Sequence, residues 1–143
     1  MGYLLPKLGI NYHFEGLVNL YNMIKDNGYE FVYLTARSMN EMPTSRNYLE
    51  SITDETNLNM HLPKGPILMF PNSRIDTLKN EIIYKTSDIF KTKIMRLCQN
   101  IFLNNRGGLI SGYGNSKTDI IAYTNVGMSQ RLIWLVKNSK LYQ

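Results

Sequence analysis

Four short apolar runs, each bounded by turn-forming residues and separated by segments of helical period, constrain what this chain can fold into. The runs are residues 30–34, 67–70, 109–113 and 132–136. They are rich in Val, Ile, Leu, Tyr and Phe, which suit a pleated, buried surface. Gly65-Pro66 and Pro71 bracket the second run, and Gly107-Gly108 precede the third. Between the runs the period changes. Leu17, Leu20, Tyr21 and Ile24 place a helix over residues 15–27, and Pro43 suits the first turn of a helix reaching about Ser51. Strands alternating with helices predict an α/β fold with a parallel sheet and right-handed crossovers.

The remaining segments are read in the same way. Residues 1–10 hold Gly2, Pro6 and Gly9 and read as a connection, not a strand. Residues 38–42 read as a polar loop, and 53–63 as a polar connection without period. After Pro71 the pattern is helical in two parts. Ile75, Leu78, Ile82 and Ile83 form one stripe. Ser87 is placed as the cap of a longer helix with Asp88 in its first turn, and Phe90, Ile94, Leu97 and Ile101 mark the expected buried face. A short helix is expected through Tyr123, and residues 137–140 read as a turn.

A chain of 143 residues fits one domain over residues 1–143 and can bury a real core. No apolar run approaches the roughly 18 residues that span a bilayer. The single cysteine, Cys98, rules out an internal disulfide and reads as a small core hydrophobe. This fits a cytoplasmic location. A net charge of +5 from scattered basic residues favours an anionic partner over a dedicated nucleic-acid interface. His13 and His61 are isolated and lack ligand spacing.

The segment from Gly28 to Arg37 carries the first chemical signal. Gly28 can take the left-handed conformation that stops a helix. The apolar run then gives way abruptly to Thr35-Ala36-Arg37. In an open parallel sheet, ligands bind beyond the carboxyl ends of the strands. A hydroxyl, backbone N–H groups and a guanidinium there could hold an oxyanion such as phosphate. The plainer reading is a threonine that caps the next helix and an arginine in solvent. Likewise, Ser116-Lys-Thr-Asp119 matches a capping box in type, so Asp119 could serve only to start a helix.

Six motifs occur in one order and spacing: Gly2-Tyr-Leu-Leu-Pro6, Gly28-Tyr29, Leu34-Thr-Ala-Arg37, Leu62-Pro-Lys-Gly-Pro66, Phe90-Lys91 and Gly114-Asn115-x-x-x-Asp119. Together they resemble the catalytic domain of the lipins over essentially the whole chain. Lipins are Mg²⁺-dependent phosphatidate phosphatases with a haloacid-dehalogenase-like fold. A related domain occurs in some phosphatidylinositol-transfer proteins, which gives the alternative of a non-catalytic module for phosphatidate or a similar anionic lipid. The resemblance implies that Thr35, with Ala36 and Arg37, meets the phosphoryl group. It implies that Lys91 neutralises charge on the phosphate and on the attacking carboxylate. Asn115 and Asp119 would hold Mg²⁺ directly or through water, and Arg37 would contact a lipid head group or brace its loop. It also implies peripheral association at the endoplasmic reticulum membrane, or a nuclear location.

The departure from that pattern is the nucleophile. The superfamily begins with a strand ending in Asp-x-Asp-x-Thr, whereas no Asp-x-Asp occurs in these 143 residues and the only acidic residue before Asp26 is Glu15. The expectation is a lipin-like domain fragment, inactive alone. In the fold so implied that strand lies at the sheet's centre, so the run 30–34 should pair with 67–70 and the run 109–113 with 132–136, with either a slot between the two pairs or the inner strands collapsed together. Residues 1–10 are not expected to fill the slot, because Pro6 cannot donate to a ladder.

Overall fold

The computed structural model describes residues 16–71, 79–103, 108–137 and 140–143. Helix α1 (Leu17–Asp26) follows Gly16 and ends at Gly28, whose φ of 88° is the left-handed stop expected from sequence. Gly28 N–H donates to the Lys25 carbonyl at 2.9 Å. Gly16 offers α1 no side-chain cap. Asp54 closes its own turn after α2. Its carboxyl pKa is lowered by the Thr56 hydroxyl first, and by the N–H groups of Thr56 and Asn57.

A lowered carboxyl pKa stabilises the fold above the unfolded-state value of about 3.9 and stops doing so as pH falls through the folded value. Asp54→Ala is therefore expected to lower the unfolding midpoint by a constant margin between pH 7 and 5. The margin should shrink to nothing in stronger acid. A margin that persists there would assign the loss to packing instead.

Strand β1 (Tyr33–Ser38) pairs in parallel with β2 (Ile67–Phe70). The strand expected at 30–34 thus starts later and runs further. Phe31 and Val32 are buried but lie before the ladder, and Thr35, Ala36, Arg37 and Ser38 belong to the strand. The ladder joins Leu34 to Leu68 and then Ser38 to Phe70, four steps on β1 against two on β2. The bulge so formed falls on Thr35-Ala36-Arg37. A short 3₁₀ turn (Met39–Glu41), capped by Ser38, then leads into α2 (Met42–Ser51), with a proline in its first turn as expected.

Helix α3 (Lys79–Leu103) is one helix, not two. Ser87 and Asp88 lie in its interior, since no Gly or Pro interrupts residues 79–103 and nothing stops propagation. Ile75 and Leu78 lie outside the described residues. The buried line of α3 is also rotated from the expected one. Lys91, Met95 and Cys98 face inward, Phe90 and Ile94 flank them, and Leu97 and Ile101 are about 60% exposed.

Strand β3 (Gly112–Gly114) is shorter and later than the run 109–113, because Leu109 packs in the core without joining a ladder. It pairs in parallel with β4 (Ile133–Lys137) across helix α4 (Lys117–Asn125). Sequence reading missed β5 (Lys140–Tyr142), which folds back antiparallel on β4, so the strand arrangement is not purely parallel.

The strands form two separate sheets, β1-β2 and β3-β4-β5. Among the described residues no strand pairs β1 with β3, as the expected slot requires. Residues 1–10 lie outside the described set. Two core clusters hold the sheets side by side. Leu34 of β1 joins Met95, Cys98, Ala122, Tyr123 and Ile133 on the α3/α4 face. Tyr33 of β1 joins Leu17, Val18, Tyr21, Tyr113 and Val136 on the α1 face. Adjacent β1 residues thus serve opposite faces, as strand geometry dictates. The Tyr21 ring packs 5.0 Å from Phe31 and 5.2 Å from Tyr113, tying the two sheets together. Burying each such side chain contributes about 1.5–3 kcal/mol. Cys98 packs as the small hydrophobe expected, and burial pushes its thiol pKa up, away from reactivity.

Candidate functional site

The best-defined polar constellation forms where β3 hands over to α4. Ser116 caps α4, and Asp119 sits in its first turn. The Asp119 N–H donates to Ser116 Oγ at 3.3 Å, and Ser116 N–H donates to Asp119 Oδ2 at 3.1 Å, a reciprocal capping box. Oδ2 also accepts from the Asn115 N–H at 3.0 Å and from Ser116 Oγ at 2.9 Å. Gly114 makes this fold-back possible, since a Cβ there would lie 2.4 Å from Asp119 Cβ.

The other carboxylate oxygen, Oδ1, is ion-paired to Lys91 Nζ from α3. Both side chains are almost sealed from water, at 7% and 6% exposure. A surface pair would contribute little, whereas two charges taken out of water must satisfy one another. Asp119 is therefore both a cap and the partner of a buried ammonium, which unites the two readings its motif allowed. Lys91 is not one of the solvated lysines of its helix. An ammonium carries three donors, and no acceptor besides Asp119 takes one among the described residues.

Thr35 is 3% exposed, and its Oγ1 accepts the Arg37 N–H at 3.0 Å. The hydroxyl therefore closes its own bulge while its proton stays available to an acceptor. No hydrogen bond links Thr35 to Lys91 or Asp119, although α3 packs against β1. Ala36 is placed within the same bulged strand. Arg37 is half-buried and near enough to Tyr48 of α2 for its charge to act on the phenol, whose pKa is nonetheless raised by burial. Asn115 is exposed at the mouth of the β3–α4 turn.

The structure thus joins Lys91, Asn115 and Asp119 directly and leaves Thr35, Ala36 and Arg37 as a second, bulged group on β1. Bulges commonly re-aim side chains beside active sites. Among the described residues no cluster of three His, Cys, Asp or Glu side chains could hold a metal, and His61 is exposed with Nδ1 beside the Glu50 carbonyl at 3.1 Å. Sequence reading missed the Lys91–Asp119 pairing across 28 positions. The available signal was a lysine in line with Met95 and Cys98 on one helix face.

The family profile described as LNS2 (Lipin/Ned1/Smp2) matches residues 1–142. The chain is 34% identical over 136 residues to phosphatidate phosphatase LPIN3 of Mus musculus, covering 95% of this chain and 16% of that protein. It is 31% identical over 141 residues to nuclear elongation and deformation protein 1 of Schizosaccharomyces pombe, covering 97% of this chain and 21% of that protein. Against phosphatidic acid phosphohydrolase 1 of Saccharomyces cerevisiae it is 27% identical over 146 residues, covering 95% and 17%. The chain thus spans about a fifth or less of the length of these relatives.

Proposed function

The chain belongs to the LNS2 (Lipin/Ned1/Smp2) family, and from that premise we propose that it is the phosphate-handling part of a Mg²⁺-dependent phosphatidate phosphatase. The reading takes residues 1–143 as one domain of haloacid-dehalogenase-like fold, and the reaction as hydrolysis of phosphatidate to diacylglycerol and phosphate. The observation that carries it is the buried Lys91–Asp119 pair at the β3–α4 turn. A desolvated ammonium, oriented by a carboxylate that is itself pinned by three other donors, is a preorganised cation for a phosphoryl group. Thr35 donates its hydroxyl proton to a phosphoryl oxygen, and Ala36 and Arg37 shape the bulge that presents it.

The donor set tests the metal assignment. Asn115 and Asp119 offer hard oxygens, which suit Mg²⁺. Asp119 Oδ2 is filled by three donors and Oδ1 holds Lys91, so these residues fit Mg²⁺ through water and not as a cage. Mg²⁺, when bound, would neutralise charge on the phosphate. No Asp-x-Asp occurs in the sequence, so the carboxylate nucleophile is proposed to come from an Asp-x-Asp-x-Thr strand supplied in the same polypeptide. The substrate makes the protein a peripheral visitor to membranes, at the endoplasmic reticulum or the nucleus. Among the described residues no helix is long and apolar enough to cross one.

The test is phosphate release from phosphatidate. The 143-residue chain alone is expected to release none, with or without Mg²⁺. A protein that also carries the Asp-x-Asp-x-Thr strand should show chelator-sensitive release, and Lys91→Ala should lose about 10²–10³ of it, the usual cost of one preorganised donor. Wild-type rates in Lys91→Ala and Asp119→Ala proteins that remain folded would sink the assignment. A second reading, a phosphatidate-binding module without turnover, is favoured by the missing Asp-x-Asp alone. It requires tight flotation with phosphatidate vesicles that survives high salt, whereas a few cations at about 1 kcal/mol each give only weak, salt-sensitive association.

A further inference from the structure

The Leu62-Pro-Lys-Gly-Pro66 motif has no part in the site described above, yet it is built with care. Tyr33 Oη donates to the Pro63 carbonyl at 2.6 Å. Gly65 lies against the backbone of Phe31, where a Cβ would stand 2.1 Å from the carbonyl oxygen. His61 bridges to Thr53, and its carbonyl accepts from Asn22 Nδ2 at 2.9 Å. Leu62 and Pro63 are buried, and Lys64 is held out at the tip of this pinned loop.

The loop closes one side of a cavity of about 470 Å³, with α2 as the opposite wall. That volume lies within the roughly 300–1,000 Å³ range of small-molecule sites. Tyr33 and Ile67, the first residues of β1 and β2, line it. It therefore sits at the amino ends of these parallel strands, away from the Thr35–Arg37 bulge, and shares no lining residue with the Lys91–Asp119 pair. Its walls are aliphatic, from Leu49, Leu62 and Ile67, and its rim carries Arg46 and Lys64. Both cations are exposed, and neither forms an ion pair with any described residue. Among the described residues of the lining, Glu50 is the one carboxylate and His61 the one imidazole. Two cations against one carboxylate leave a charge of +1 with His61 neutral.

We propose that this cavity binds a small anionic amphiphile, a phosphate or carboxylate carried on an aliphatic body. The guanidinium of Arg46 and the ammonium of Lys64 take the anion, the Arg fork being suited to bidentate contact. The aliphatic walls take the body. The pinned loop holds the site ready before the ligand arrives, which spares the ordering cost of binding. The site stands whether or not the chain takes part in phosphate release.

Calorimetric titration of the protein with four probes below their micellar concentrations tests this: dioctanoyl phosphatidate, octanoate, inorganic phosphate and dioctanoylglycerol. Saturable binding of the first or second is expected, and whichever is tighter tells a lipid phosphate from a fatty carboxylate. Arg46→Glu and Lys64→Glu, both at exposed positions, should each weaken that binding about tenfold or more, as loss of a charge-assisted bond implies. Leu49→Trp should weaken it by filling the cavity. Equal binding of inorganic phosphate, or of uncharged dioctanoylglycerol, would overturn the proposal. So would the failure of both amphiphiles to bind, or affinity unchanged in both charge-reversal variants.

Discussion

Replacing Lys91 by alanine is expected to destabilise the protein by about 3 kcal/mol, and replacing Asp119 by alanine by about 5 kcal/mol, the two ends of the range for breaking a buried ion pair. The order follows from what each change strands. Without Lys91, the Asp119 carboxylate keeps the Asn115 and Ser116 N–H groups and the Ser116 hydroxyl, all on Oδ2. Without Asp119, the Lys91 ammonium has no acceptor among the described residues, and α4 loses its capping box, itself worth about 0.5–2 kcal/mol. Asp119→Asn should fall between, since it keeps an acceptor but drops the charge. Urea unfolding of the four proteins, each joined to an Asp-x-Asp-x-Thr strand in one polypeptide, gives the comparison. If both alanine variants stayed within about 0.5 kcal/mol of wild type, the pair would be behaving as a surface contact.

That pair also marks the boundary of what could be read in the sequence. The local signals were sound where one residue decides the backbone. Gly28 takes a positive φ and stops α1, Pro43 sits in the first turn of α2, and Ser116 and Asp119 form their capping box. The strand pairing, 30–34 with 67–70 and 109–113 with 132–136, came from the family resemblance, and β1 pairs with β2 and β3 with β4 in that way. Periodicity was right for half of its line on α3, since Phe90 and Ile94 pack against the core while Leu97 and Ile101 are exposed. Apolar spacing favoured Phe90, Ile94, Leu97 and Ile101, but a lysine with a distant carboxylate turned the inward line to Lys91, Met95 and Cys98. A buried charge is invisible to a hydrophobic pattern until its partner is known. Ser87 misled for a related reason: a good capping residue caps only where the helix has cause to stop. The bulge at Thr35-Ala36-Arg37 depends on the β2 register, and the Lys91–Asp119 pair on a contact across 28 positions. Neither lies in any local window.

A strand between the two sheets, as the proposed fold requires, carries the largest expected effect. β1 sends Tyr33 to the α1 face and Leu34 to the α3/α4 face; the first cluster continues onto Tyr113 of β3 and Val136 of β4, and the second onto Ile133 of β4. A strand entering between β1 and β3 would thus be covered on both sides, and its end would come beside the Thr35 bulge and the β3–α4 turn. Each ladder bond contributes about 0.5–1.5 kcal/mol net. A strand bonded on both edges therefore adds an amount comparable to a domain's whole stability of about 5–15 kcal/mol. The 143-residue chain by itself is expected to associate through its inner strands and to melt broadly. The same chain with an Asp-x-Asp-x-Thr strand in one polypeptide should be a monomer with one sharp transition.

Tyr21 distinguishes this from a general gain in size. Its side chain is fully buried between Phe31 and Tyr113, and its hydroxyl has no hydrogen-bond partner among the described residues. Burial, and then the neighbouring Tyr113 and Tyr33, raise its pKa well above the usual phenol value, so it stays a neutral donor. An unsatisfied buried hydroxyl costs about 1–3 kcal/mol. Tyr21→Phe should therefore stabilise the chain alone. With the strand in place, the inserted backbone offers that hydroxyl a partner, and the same substitution should be neutral or destabilising. A sharp, monomeric melt of the chain alone, with Tyr21→Phe acting alike in both proteins, would show that nothing is missing between β1 and β3. The lipid-binding reading would then displace the phosphatase.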